Sequence, residues 1–315
     1  LVGQKQAVEL LTQAVRQNRV APAYLFVGPD GVGRSLAARC FIELLFADDI
    51  EPQLVPVLQK RVQQGNHPAL LWVQPTYQHQ GQRLTAAEAA EKGVKRKAPP
   101  VIRLEQIREI TEFLGRPPLE APRNVVVLEQ AETMAEAAAN ALLKTLEEPG
   151  QATLILIAPT PESVLPTLVS RCQRIPFYRL DTESLTQVLT QTGHGEVLQN
   201  PAVLNLAAGS PGSAIASYQQ LQAIASELLQ QVTKIPTSYR NALELAKKID
   251  HDLDTEAQLW LIDYLQQSYW QQWQQPQMIK QLEQTRKQLL GYAQPRLVWE
   301  CTFLALLQIS RLMSG

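Results

Sequence analysis

The chain has 315 residues, 45% of them hydrophobic and 19% charged, with a formal net charge of -1. That length asks for two or three packed units rather than one core. The neutral balance excludes a globally basic nucleic-acid binder and leaves room only for local patches. The cysteines, Cys40, Cys172 and Cys301, are too few and too scattered for a four-cysteine zinc site, and they read as reduced thiols of a cytosolic protein. No apolar run approaches the ~20 residues of a membrane span. The opening LVGQKQAVELL is already amphipathic and lacks a signal-peptide pattern; it starts at Leu1, as a chain missing a few native residues would.

In chain order, residues 4–17 have apolar positions at helical spacing. Tyr24–Val27 is a short strand, Gly28–Ser35 (GPDGVGRS) a glycine-rich loop, and Leu36–Phe46 a helix. Residues 66–76, NHPALLWVQPT, form a second strand region between turns. Residues 78–100 are polar, end in Pro-Pro, and read as a surface excursion with little fixed structure. Their KGVKRK cluster is either a solvated loop or a nucleic-acid contact. A helix is expected over 101–114, a buried strand over Asn124–Leu128, and a helix over 135–148 ended by Pro149-Gly150. Another apolar strand spans 152–160, followed by ESVLPTLVSRC. Alternating buried strands and helices imply an α/β unit with a parallel sheet covered on both faces. The remainder is helical, with Trp260, Trp270 and Trp273 expected to pack between helices and an apolar helix over 296–313.

Strand, glycine-rich loop and helix form the context of a phosphate loop. Gly28, Gly31 and Gly33 let backbone N–H groups turn toward phosphate oxygens, and the helix N-terminus adds dipole and donors. Ser35 is placed to reach Mg²⁺. The usual lysine is replaced by Arg34, which keeps the charge on a longer, planar group. The loop therefore either takes nucleotide weakly or survives as a turn without a ligand. Phosphoryl transfer also asks for an Asp ending a second buried strand and an acid beside it. Here those places hold Glu129 and the neutral Gln130, and Glu132 follows as a cap or surface acid. Hydrolysis by this chain alone is not expected.

The segments APAYLFVGPDGVGRSLAA, AETMAEAAANALLKTLEEPG, LPTLVSRC, AAGSPGSA and QPRLVWE, in this order, resemble the delta-prime subunits of bacterial DNA polymerase III clamp loaders, within the AAA+ family. The resemblance covers nearly the whole chain. It implies an AAA+ P-loop module over 1–178, a small helical lid over 179–212 and an all-helical collar over 213–315. It gives the Ser-Arg-Cys motif a role: Arg171, with Ser170, would be presented to ATP on a neighbouring subunit. By its residues alone, Arg171 could equally cap or salt-bridge a helix. Thr160 matches the first sensor region, but Pro159 and Pro161 flank it. The second sensor arginine is absent, since Gly209-Ser210-Pro211 leads to Gly212. The four-cysteine zinc module of many relatives is missing, and His67 alone will not hold zinc.

The implied work is loading a sliding clamp onto primed DNA in the bacterial cytosol. The implied partners are ATPase subunits of the gamma/tau kind and the delta subunit, and indirectly the clamp and the DNA. No cofactor is required beyond weak ATP or ADP with Mg²⁺ at the degenerate loop. The alternatives are an ATP-hydrolysing gamma/tau-type subunit and a standalone P-loop NTPase or kinase.

Overall fold

A computed structural model of the chain describes residues 1–47, 50–94, 99–147 and 150–314. They divide into two compact units, Leu1–Ser184 and Leu185–Gly315.

The first unit is built from α1 (Lys5–Arg16), β1 (Ala23–Val27), α2 (Arg34–Phe46), α3 (Val55–Gln64), β2 (Leu70–Val73), β3 (Tyr77–His79), β4 (Gln82–Leu84), α4 (Ala86–Glu91), α5 (Leu104–Leu114), β5 (Asn124–Leu128), α6 (Glu136–Glu147), β6 (Ala152–Ala158), α7 (Pro166–Val169) and β7 (Gln173–Pro176). Five parallel strands lie in the order β2-β5-β6-β1-β7. Side-chain alternation along each strand divides the apolar residues between two faces. Tyr24, Phe26, Val125, Val127, Ile155 and Ile157 meet Leu11 of α1, Phe41 and Ile42 of α2, and Leu58 and Val62 of α3. Leu25, Val126, Leu128, Leu154 and Leu156 meet Ile107 and Ile110 of α5, Leu142 of α6 and Leu168 of α7. Strands buried on both faces explain the unbroken apolar runs VVVL and LILIA.

Two elements differ from the sequence reading. Part of the 78–100 excursion is ordered: β3 and β4 form an antiparallel hairpin, and Thr85 and Glu88 exchange hydrogen bonds at the start of α4. Lys95, Arg96 and Lys97 lie outside the described residues. The fifth strand, β7, is not apparent in the sequence, because only Ile175 of QRIP is apolar and buried. It pairs with β1 at the sheet edge, where Pro176 is tolerated. His67 is more than a turn residue. It is buried, packs its ring against Phe46 at a tilt of 35°, and its Nδ1 accepts the Ala69 N–H at 3.2 Å. Burial holds its imidazole below the usual range, followed by the charge of Arg61.

The division between units falls inside α8 (Thr182–Gln191). Beyond it come α9 (Pro201–Ala207), α10 (Pro211–Ala223), α11 (Ser226–Val232), α12 (Tyr239–Asp252), α13 (Thr255–Trp273), α14 (Pro276–Leu290) and α15 (Pro295–Ser314). This one unit holds residues 185–212 of the segment expected as a lid, whose first six residues fall in the first unit, together with the whole segment expected as a collar. Its core gathers Leu245, Ile249, Leu261, Leu265, Tyr269, Leu282, Trp299 and Phe303. The tryptophans are used differently from the expectation. Trp260 and Trp273 pack against this core, but Trp270 is 50% exposed. Trp299 of α15 is the fully buried one, and its indole N–H donates to Gln258 Oε1 at 2.9 Å. Gln258 in turn donates to the Leu253 carbonyl. Replacing Trp299 by Ala removes the largest buried side chain and strands a buried amide. The expected cost is about 3–5 kcal/mol, read as a lower urea midpoint. An unchanged midpoint contradicts this account of the core.

Candidate functional site

The loop geometry begins at the end of β1. An added Cβ on Gly28 would lie 2.3 Å from the Phe177 carbonyl oxygen, so a side chain there collides with the backbone that leaves β7. Gly31 (φ +73°) and Gly33 (φ +99°) both take left-handed conformations. Gly33 is the N-cap of α2 and offers no side chain to its first turn, so the donors there are left for another acceptor. Arg34 opens α2 and Ser35 follows it. The Arg34 side chain does not extend into solvent; the residue is 8% exposed. Its Nη2 donates to Asp30 Oδ1, four residues back in the same loop. Its Nη1 is buried without a hydrogen-bond partner.

The parallel register decides which candidate residues can share a ligand. Val27 is level with Ala158, and Leu128 with Leu156, so the loop after β1, Glu129 after β5 and Thr160 after β6 all stand at the carboxyl ends of their strands. That edge is where open α/β sheets place ligands. Thr160 is exposed and extended, and its carbonyl accepts from Ser163 Oγ at 2.6 Å. Glu129 does not point at the loop. Its Oε2 accepts from Gln74 Nε2 at 2.6 Å, and Gln74 follows β2, on the far side of β5 from β1. Gln130 is exposed with φ +51°.

Glu132 departs from its expected place as a cap or surface acid. It sits in the short 3₁₀ turn Ala131–Thr133, partly buried, with Oε2 enclosed and unpartnered. Burial holds its carboxyl above the usual range. The charge of Asp30 adds to that, while its own backbone N–H and Arg34 act the other way. Asp30 and Glu132 thus share the field of Arg34. Asp30 was not singled out from the sequence, because it lies in the loop before α2, where a spacing of four residues does not by itself bring two side chains together.

Arg171 stands at the other end of the sheet. Gln173, the first residue of β7, is level with Tyr24 near the start of β1. The loop begins four residues further along β1, about 13 Å away at roughly 3.3 Å per residue. Arg171 lies still further back, out of reach of the loop in its own chain. Its Nη2 pairs with Glu147 Oε1 at 3.0 Å and its Nη1 donates to the Thr167 carbonyl at 3.1 Å. Ser170 Oγ donates to the same carbonyl at 3.0 Å. Nothing in the sequence pairs Glu147 with Arg171, because the two are 24 residues apart. The Cys172 thiol is pushed up to about 11 by burial, which suits packing and not nucleophilic work. In the second unit, Ser210 caps α10 by accepting the Ser213 N–H at 3.2 Å. Among the described residues no His, Cys, Asp and Glu group is arranged to hold a metal ion, and no helix is long and apolar enough to cross a membrane.

A five-stranded parallel sheet in this order, with a glycine-rich loop at the end of its inner strand β1 and a helical region after it, defines an AAA+-type P-loop module followed by helices. A solved gamma-subunit-related protein of DNA polymerase III from Thermotoga maritima shares the fold, with a TM-score of 0.52 at 17% identity over 96% of this chain and 99% of that one. A family model described as DNA polymerase III, delta subunit, matches residues 3–181. One described as the cyanobacterial DNA polymerase III delta prime C-terminal domain matches residues 183–306. The chain belongs to the DNA polymerase III delta-prime family. It is 31% identical over 191 residues to the delta-prime subunit of Bacillus subtilis, covering 60% of this chain and 51% of that protein. It is 34% identical over 199 residues to the delta-prime subunit of Pseudomonas aeruginosa, covering 61% and 54%. The tau subunit of Bacillus subtilis is 27% identical over 203 residues, covering 63% and 32%. The chain thus spans about half the length of the delta-prime relatives it matches.

The Gly28 contact can be checked directly. Gly28→Ala drives a methyl group into the Phe177 carbonyl, and the β1–β7 edge must shift to admit it. A loss of about 1–3 kcal/mol in chemical unfolding is expected. Wild-type stability in this variant would mean that Gly28 and Phe177 are not in close approach.

Proposed function

We propose that this chain is the delta-prime member of a clamp loader. In this role it helps place a sliding clamp on primed DNA and lends Arg171 to ATP held by a neighbouring subunit. The observation that carries the second part is the register. Arg171 and the loop stand at opposite ends of one sheet, so this arginine does not reach the loop of its own chain, which supports a role on a neighbour's ligand. A guanidinium brought to the transferring phosphoryl group stabilises the charge that develops there. Glu147 and the Thr167 carbonyl hold the side chain in the unassembled chain, and Ser170 tightens the same turn. The neighbour would be an ATPase subunit of the gamma/tau kind. The delta subunit would be a second partner, and the site of work would be the bacterial cytoplasm. The helical second unit would join the collar.

A role as the hydrolysing subunit is poorly supported. Glu129 is turned to Gln74, Gln130 carries no acid, and Arg34 is taken by Asp30. A standalone kinase needs a coherent acid or base beside the loop, and the enclosed Glu132 does not supply one at a substrate position. Nucleotide at the GPDGVGRS loop is therefore at most weakly held, through Gly28, Gly31, Gly33, Arg34 and Ser35.

The test uses the assembled loader with its ATPase subunits. Arg171→Ala should leave assembly intact and slow single-turnover hydrolysis at the facing site by about a hundredfold or more. Unchanged hydrolysis in an intact assembly rules out the arginine's role in trans.

A further inference from the structure

The loop that resembles an ATP site contains its own anion. Arg34 is the sole cation of GPDGVGRS. It is more than nine-tenths buried, yet one of its two terminal nitrogens, Nη1, has no acceptor. The other is held by Asp30 from the same loop. A buried guanidinium N–H without an acceptor is costly, and it marks a place that an oxygen ligand would fill. Asp30, by contrast, has a side chain 83% exposed, so its position owes little to packing. Glu132 adds a second carboxylate to the field of the same arginine.

A phosphate group entering this loop would seek the same guanidinium edge that Asp30 occupies. It would have to displace the Asp30 carboxylate from that edge, since both are anions seeking the same donor. We propose that Asp30 is an internal counter-anion of the loop: it takes the Arg34 edge that a nucleotide phosphate would use, and so sets the weak phosphate affinity of this site. This rests on the reading of GPDGVGRS as a phosphate loop. The glycine conformations and the uncapped start of α2 keep the backbone cradle in shape, so weak affinity comes from charge and not from a collapsed loop. Neutralising Asp30 is then enough to reveal the cradle.

The experiment titrates ADP with Mg²⁺, and separately inorganic pyrophosphate, into the full chain by calorimetry. Asp30→Asn keeps the size of the side chain and removes its charge, and Asp30→Ala is a second neutralising variant. Circular dichroism melts establish that each is folded. Both should bind at least about tenfold tighter than wild type, the scale of one charge-assisted contact released from competition. The gain should vanish in the double variant Asp30→Asn/Arg34→Ala. Equal binding by wild type and Asp30→Asn, lost on Arg34→Ala, would overturn the counter-anion role while the phosphate-loop reading stands. A gain that survives Arg34→Ala would overturn competition for the guanidinium. No binding by any variant would overturn both the proposal and the reading beneath it.

Discussion

β1 is held in parallel register between β6 and β7, and the placement of the candidate residues in the first unit follows from that pairing. Because the strands run the same way, their carboxyl ends come together and their amino ends come together. The first edge receives the loop, Thr160 and the turn carrying Glu132. The second edge receives Ser170 and Arg171. A parallel sheet therefore separates two chemistries that a linear sequence leaves side by side. The separation is enforced by the cores on both faces, where Leu25, Val126 and Leu156 pack one way and Tyr24, Val127 and Ile155 the other. A slip of one residue would exchange those faces, so the register is held by burial as well as by backbone hydrogen bonds.

The electrostatics of the loop depend on this scaffold too. The loop of six residues between β1 and α2 is short enough that Arg34, the first residue of α2, turns back to Asp30. The turn after β5 brings Glu132 into the same field, while Glu129 is drawn off to Gln74. Of the two acids after β5, Glu132 and not Glu129 shares its field with Arg34 and Asp30. Backbone shape suited to phosphate and charge unsuited to it coexist because they arise separately. The shape comes from glycine conformations and a helix start, the charge from side chains that can change without altering the turn.

The second unit follows a different logic. Its helices bury Trp299, Tyr269 and Phe303 together, and three polar pairs lie within that core: Trp299 with Gln258, Tyr269 with the Val232 carbonyl, and Thr285 with Thr302, while the buried Trp260 Nε1 has no partner among the described residues. Pairing of this kind limits which helix faces can meet, since a shifted helix would strand several polar groups at once. Trp270 lies outside this scheme, on the exposed side of α13.

Much was legible in the chain itself. Continuous apolar runs bounded by turns identified β1, β5 and β6, because a strand buried on both faces has no polar alternation to hide it. GPDGVGRS between a strand and a helix identified the loop, because glycine is what a left-handed turn requires. Helical propensity placed α6, and the ordered set of motifs placed the chain in its family. Other features needed the fold. β7 carries one buried apolar residue and exists as a strand because β1 offers it a partner. In sequence terms Trp270 is expected to pack between helices with Trp260 and Trp273, and only the packing shows that it stays at the surface while Trp299 fills the core. The partnership of Arg171 with Glu147, the turning of Glu129 toward Gln74 and the enclosure of the Glu132 carboxylate all depend on how different elements pack. Local residue types determined which chemical groups this protein has. The parallel register and the two-sided core decided which of them meet, because distances between elements are set by packing and not by spacing along the chain.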